Sequence, residues 1–374
     1  MKTKILYLTT TLEKGGTETQ LYYLLSELSK DKNYDIKLIS LEGGIYEKKI
    51  QELGISVRVL SKKVAYRHLL SYLGKIRKEI GGFEPHIVHS CLFHTNILAK
   101  FLALYEKNYL LVCAYRNIIS PYPLLKKAEF LFRKQADCLL SNSFSVQENI
   151  LEEGFEKEKT RVLPNMYVPK KIDSARLRDL KKKYGGKKLI LTVAHFRAQK
   201  DYRTNVASCA QILETEDNLL VLYIGEGETL QECREEVRRL GLQKKILFLG
   251  KREDVAEHLL CADVFFLPTL FEGMPNAVME AMYYKVPIVA SDIKPIRELN
   301  AQAFLCPPQN VSSFVHALKT VLHKALSDAE LENNKKLIEE KYSLKKIVEG
   351  HKSLYKKLLS GSLQGGYSKG ETKV

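Results

Sequence analysis

The sequence predicts an α/β chain made of two doubly wound parallel-sheet domains in tandem. Three observations carry that prediction. Short apolar, β-rich runs alternate with amphipathic helical patterns along nearly the whole chain. The alternation breaks once, over residues 166–188, where the chain turns basic and polar. The length of 374 residues, 45% of them hydrophobic, fills two domains of ordinary size rather than one.

In the first half the apolar runs are residues 4–10, 36–42, 57–61, 86–90, 110–115, 138–143 and 161–165. Near-continuous apolar strands separated by helices mean a sheet buried on both faces, and therefore parallel. The clearest helix runs from Thr17 to Lys30, with Leu21, Leu24, Leu25 and Leu28 on one face and Thr17 with Gln20 as a capping box. A second runs from Arg67 to Ile80, with Leu69, Leu70, Leu73 and Ile76 aligned. Residues 166–188 read as a linker plus a short helix. The alternation resumes at 188–195 and continues through 218–225, 245–250, 262–269, 286–291 and 303–307, with helices at Asp201–Glu214 and Thr229–Leu240. Helical patterns at Val311–Lys324, Asp328–Lys341 and Leu344–Leu359 close the chain. The expected domains are 1–168 and 169–343, with a helix over 344–360 returning to the first domain and a disordered tail over 361–374. In such sheets ligands bind outside the carboxyl ends of the strands, so two facing domains predict a site in the cleft between them.

Composition excludes several classes. The seven cysteines are odd in number, contain no Cys-x-x-Cys pair and fall partly in apolar runs, as Cys113 and Cys138 do, which is a reduced, cytosolic pattern. The Lys-flanked N-terminal run is short and lacks a small-residue cleavage site, so it reads as a first core strand rather than a signal peptide. No window approaches the length of a membrane span. The formal charge of +15 admits nucleic acid or an anionic membrane surface as partners. Residues 51–100 hold eight Lys/Arg against three Asp/Glu, including Lys62, Lys63, Arg67, Lys75, Arg77 and Lys78, and Lys126, Lys127, Arg133 and Lys134 form a second cluster. A basic amphipathic helix here is either a solvated face or a surface for anionic lipid, which would place a cytoplasmic protein peripherally on a membrane. Nothing resembles a nucleic-acid motif, so no nucleic-acid partner is expected.

The chemistry-bearing segment is residues 267–282, LPTLFEGMPNAVMEAM. A strand ends near Pro268, Gly273 permits a turn, and Pro275 opens a helix, so the amides of Asn276, Ala277 and Val278 would face an anion or an oxygen-rich ligand. Glu272 on the loop and Glu280 in the helix read as carboxylates that accept paired hydroxyls of a ribose and a sugar, or as surface acids favoured by the helix dipole. After another strand, Arg197 and Lys200 stand three apart on a loop, where two cations would neutralise a diphosphate. Gly15-Gly16-Thr17-Glu18 follows the first strand and opens the first helix, either to let backbone approach phosphate or as a plain turn. Gly225-Glu226-Gly227 is a similar turn. His86, His89 and His94 lack metal-ligand spacing, and each reads as structural unless His89 or His94 faces the cleft.

Together, and in order, these segments resemble glycosyltransferase family 4, retaining enzymes of the GT-B fold, over nearly the whole chain. The most specific part is Glu272-x7-Glu280, supported by Gly15–Glu18, 162–165, Arg197 with Lys200, 223–228 and 247–250. The resemblance implies sugar transfer from a nucleotide-diphosphate sugar with no metal and no other cofactor. Arg197 and Lys200 would bind the diphosphate, Glu280 the ribose, and Glu272 with the amides of Asn276 and Ala277 the donor sugar, with Gly273 and Val278 also among the donor-binding residues. Gly16 would let the first domain close on the phosphates, and Lys251 and Arg252 would lie near the base. The implied acceptor is a glycan or a polyprenyl-linked saccharide in surface polysaccharide or glycoconjugate synthesis.

Two departures stand out. Asn165-Met166 replaces the Asn-Gly of many relatives. Tyr115-Arg116-Asn117 replaces a segment in which many carry a His near the transferred sugar. Arg116 stays protonated and cannot serve as a base, so it and His94 become acceptor-side candidates, Arg116 for phosphate or an anionic acceptor. A sugar-nucleotide epimerase using His89, His94 and Glu272, and a non-catalytic nucleotide-sugar-binding subunit, are the competing readings.

Overall fold

The computed structural model describes residues 2–63, 69–116, 127, 129–324 and 326–362; Arg67, Asn117, Lys126 and the tail from 363 lie outside the described residues. The chain forms two compact units, Met1–Met166 with Leu344–Val374, and Tyr167–Ser343.

The first unit carries seven parallel strands, β1 (Thr3–Thr9), β2 (Tyr34–Glu42), β3 (Ser56–Ser61), β4 (Ile87–Cys91), β5 (Leu110–Tyr115), β6 (Cys138–Ser141) and β7 (Thr160–Val162), in the order β3-β2-β1-β4-β5-β6-β7. The second carries six, β8 (Lys188–Val193), β9 (Leu219–Ile224), β10 (Ile246–Gly250), β11 (Val264–Leu267), β12 (Ile288–Ser291) and β13 (Phe304–Cys306), in the order β10-β9-β8-β11-β12-β13. Strand direction of winding reverses between β1 and β4 in one unit and between β8 and β11 in the other. These switch points leave a crevice at the carboxyl edge. Both faces of the second sheet are covered: Leu191, Phe265 and Ile288 pack to one side, and Ile190, Phe266 and Val289 to the other. That two-sided burial is why the strands read as unbroken apolar runs.

Helix Leu344–Leu359 belongs to the first unit. It buries Ile347, Val348, His351, Leu354, Tyr355 and Leu358, a stripe at helical spacing. Its Tyr355 hydroxyl lies 2.7 Å from that of Tyr7 on β1, and Lys352 pairs with Asp31 at 2.8 Å. Gly350 lies where the helix passes Leu163, and a Cβ there would sit 2.9 Å from its Cδ2, so the Leu163 side chain would have to shift.

The expected Thr17–Gln20 capping box does not form. The helix starts at Gly16 with Gly15 as its cap, and the Gln20 amide instead clasps the main chain of Met166, donating to its carbonyl at 2.8 Å and accepting from its N–H at 2.7 Å. A buried main-chain pair left unpaired is costlier than an uncapped helix end open to solvent. A complete capping box occurs elsewhere, between Ser327 and Glu330.

All seven cysteines are free, and all but half-buried Cys261 are buried. Some of the basic residues are paired with acids: Arg77 bonds Glu106 at 3.0 Å, Lys37 bonds Glu79 at 2.5 Å, and Lys107 bonds Asp137 at 2.9 Å. Of the helix read from Arg67, the described part runs Leu69–Phe83 and buries Tyr72, Leu73 and Ile76. Among the described residues no helix is long and apolar enough to cross a membrane, and no group of His, Cys, Asp and Glu is placed to hold a metal.

Candidate functional site

In the second unit the strand order does the positioning. Because β8 pairs with β11, the loop that follows each ends beside the other. Lys200 leaves the first loop and Glu272 the second, 72 residues apart in sequence, and their side chains form a mostly buried ion pair. The loops are tied by main chain as well: Leu270 N–H donates to Gln199 O at 2.8 Å. Thr269, fully buried, anchors the join. Its N–H donates to the Ser291 hydroxyl at 2.8 Å, and its own hydroxyl stands 3.0 Å from Gln199 O and 3.1 Å from Glu272 Oε1. One hydroxyl proton serves these two acceptors and Phe271 O at 3.3 Å, so the Glu272 oxygen keeps Lys200 as its main donor.

Arg197 is exposed one short turn earlier, in extended conformation ahead of the turn Ala198–Lys200. Its position is set by Phe196, fully buried, which stacks on Tyr202 with centroids 3.9 Å apart. The turn at Gly225–Gly227 holds this loop down. Phe196 N–H donates to Glu226 O at 2.9 Å, and Thr229 N–H donates to Phe196 O at 3.1 Å. The contact is so close that a Cβ on Gly225 would stand 1.9 Å from Ala194 O, and one on Gly227 2.3 Å from Phe196 O. The glycines therefore approach the neighbouring loop of the protein itself.

Helix Asn276–Tyr283 follows the Glu272 loop, with Pro275 as its cap residue. Gly273 and Val278 are buried, Asn276 and Ala277 half-buried. Two of the three amides expected to be free are engaged in the turn: Asn276 N–H donates to Met274 O at 3.1 Å and Val278 N–H to Pro275 O at 3.0 Å. Pro275 bends the chain so tightly that the first turn satisfies itself, leaving the Ala277 amide. Glu280 is half-buried; loss of solvent pushes its carboxyl above the ordinary value, against the pull of Lys170. Arg252 is already clamped, its Nε and Nη2 donating to Asp254 at 2.8 and 2.6 Å, while Lys251 stays exposed.

In the first unit Gly16 is exposed, and Gly15 makes room for the buried Glu18 carboxylate, which folds back so closely that a Cβ on Gly15 would meet it at 2.3 Å. Burial raises the Glu18 carboxyl, opposed by its own amide and by Arg116. Arg116 follows β5, and its Nη1 donates to Asn165 Oδ1 at 2.5 Å. His94 is half-buried and its pKa is lowered by that burial. His89 lies inside the first unit. It is buried, with Nδ1 2.7 Å from the Tyr355 hydroxyl, and burial, His351 and Arg116 all hold it neutral. His86 accepts the Lys4 amide at 2.9 Å.

His351 gives a pH prediction. Burial, and then the charge of Arg116, lower its pKa from 6.5 to about 3. The unfolded chain then binds the proton first, so the stability it contributes is complete above pH ~6.5 and is lost as pH falls towards ~3, by about 1.4 kcal/mol per unit. Urea midpoints of His351→Asn should fall less steeply over this window than those of the wild type. Equal slopes would show that the proton is taken up elsewhere.

Sequence reading did not find Thr269, Asn165 as the partner of Arg116, or the direct Lys200–Glu272 pairing. Only Asn165 carried a signal, as part of an unusual Asn-Met pair.

Two Rossmann-like parallel-sheet units, each with polar side chains gathered at the carboxyl edge, define the GT-B class of α/β protein. Residues 14–170 match the family described as Glycosyltransferase Family 4, and residues 173–342 match Glycosyl transferases group 1. The chain belongs to the group 1 glycosyltransferases. An uncharacterized glycosyltransferase of Methanocaldococcus jannaschii is 26% identical over 75% of this chain and 74% of its own. A Campylobacter jejuni α-1,4-N-acetyl-D-galactosaminyltransferase, named for a saccharide on PP-undecaprenol, is 23% identical over 89% of this chain and 92% of its own. The crystal structure of HepE from Anabaena in complex with UDP superposes with a TM-score of 0.83 at 17% identity, covering 95% of this chain and 100% of that one.

Proposed function

We propose that this chain transfers a sugar, with retention of anomeric configuration, from a nucleotide-diphosphate sugar to a lipid-linked glycan, without a resident metal. The observation that carries the reading is the Lys200–Glu272 pair at the β8/β11 switch point, which sets a cation for a departing diphosphate against a carboxylate for sugar hydroxyls. In this reading Arg197 and Lys200 stabilise negative charge as the bond between the anomeric carbon and the diphosphate oxygen breaks. The acceptor hydroxyl bonds to that carbon on the same face, and its proton passes to the leaving phosphate oxygen. Glu272 and the Ala277 amide hold the sugar, and Glu280 holds the ribose. Glu272 serves better as a hydroxyl acceptor than as a nucleophile because its charge is already shared with Lys200.

A thermal-shift series with UDP-, GDP- and ADP-sugars tests the donor. A ligand at one hundred times its dissociation constant should stabilise by about 2.7 kcal/mol. No shift with any of them would overturn the donor assignment, and an inverted product anomer seen by proton NMR would overturn retention.

The acceptor is read as lipid-linked because the Campylobacter relative is named for such an acceptor and because the first unit is basic. It also exposes Leu104, Tyr105 and Leu131. This face would meet the cytoplasmic surface of an anionic membrane, burying apolar side chains while lysines pair with headgroups. Co-sedimentation with vesicles rich in phosphatidylglycerol should be seen at low salt and weaken as salt rises. Failure to sediment at low salt would remove the membrane from this proposal.

A further inference from the structure

We propose that Arg116 is the centre of an oxyanion-binding site in the first unit, and that a substrate carries the carboxylate or phosphate that fills it. A guanidinium has five N–H donors. Arg116 uses Nη1 on Asn165 Oδ1, and its buried Nε has no partner. Among the described residues no carboxylate lies within ion-pair distance of it. Of the two acidic groups that favour its charge, Cys91 and Glu18, neither forms a hydrogen bond or ion pair with it among the described residues. Cys91 is pushed up to about 11 by burial and is a neutral thiol, and burial raises Glu18. His89 and His351 are held neutral. A half-buried guanidinium whose buried Nε has no partner is costly, and an incoming anion relieves that cost.

Two further orphaned atoms converge on the same network. Asn142, 4% exposed, reaches Asn165 Oδ1 with its amide nitrogen at 3.5 Å, while its Oδ1 is unpartnered. His351, 3% exposed, leaves Nδ1 unpartnered, and its ring feels the charge of Arg116. Unused N–H donors beside unused acceptors fit a ligand that carries both an oxyanion and hydroxyls. That chemistry is a sugar acid or a sugar phosphate, and Arg116 keeps enough exposure to be reached. The site stands on the first unit alone; that its ligand is a substrate rests on the transferase reading.

The test uses the full chain, the Arg116→Gln and Arg116→Lys variants, and four probes measured by calorimetry at low salt: inorganic diphosphate, glucuronate, UDP-glucose and UDP-glucuronate. Arg116→Gln should weaken at least one probe tenfold or more, and Arg116→Lys should recover part of the loss, because charge without the planar fork is a poorer match. Equal losses for both nucleotide sugars assign the oxyanion to the donor diphosphate. A loss confined to UDP-glucuronate assigns it to an acidic donor sugar, and a loss for glucuronate alone to an acidic acceptor. The melting temperature of unliganded Arg116→Gln should be unchanged or higher. Unchanged affinity for all four probes, or a fall of several degrees in the unliganded variant, would overturn the site. If the wild type binds no nucleotide sugar while Arg116→Gln still loses diphosphate or glucuronate, the transferase reading fails and the anion site stands.

Discussion

Lys200→Ala is expected to lower turnover by about 10²–10³-fold, the loss of about 3–4 kcal/mol that follows removal of a preorganised charge from a developing anion. It should also destabilise the second unit. Glu272 is left with a 7% exposed side chain and only the shared Thr269 hydroxyl, which should cost about 2–3 kcal/mol after allowing for the partial exposure of Lys200. The two effects separate in the double variant. Lys200→Ala with Glu272→Gln removes the uncompensated charge, so most of the stability should return, while turnover should not. Urea midpoints and steady-state rates on the same samples decide it. Near wild-type turnover in Lys200→Ala would end the catalytic assignment, and full recovery of turnover in the double variant would reduce the pair to a structural tie.

Gly227→Ala is expected to destabilise the second unit by on the order of 3 kcal/mol, or about 6–12 °C in melting temperature. The new Cβ would lie 2.3 Å from Phe196 O and 2.8 Å from its C and N, at a φ of +155. These are main-chain atoms and cannot swing aside as a side chain would. Arg197 follows Phe196 directly, so activity should fall beyond what the loss of folded protein explains. Gly82→Ala, in a helix with nothing within 4 Å of the added Cβ, is the control and should be neutral or stabilising. If Gly227→Ala melts with the control, the close approach of the two loops does not hold.

The strands were legible because each carries its own evidence. A run such as Val264–Leu267, wholly buried on both faces, is apolar at every position and flanked by polar turns. The helix Leu344–Leu359 was equally plain from its spacing. The misread capping box shows where local reading ends. The Gln20 side chain has a choice between its own helix start and a main-chain pair 146 residues away, and nothing near position 20 says which it takes.

By itself the sequence determined the element order, the two doubly wound units and the presence of paired acids and cations after strands. Periodicity, glycine and proline act over a few residues, so these features are written locally. Only the tertiary structure decided which groups meet. Strand order set β8 beside β11, and so joined Lys200 to Glu272 across 72 residues. The same folding seated the Gly225–Gly227 turn on the backbone of Ala194 and Phe196. It also set Arg116 against Asn165 and left the Arg116 Nε without a partner. Pairing across a sheet depends on burial and register summed over the whole unit, and no short stretch of chain contains that sum.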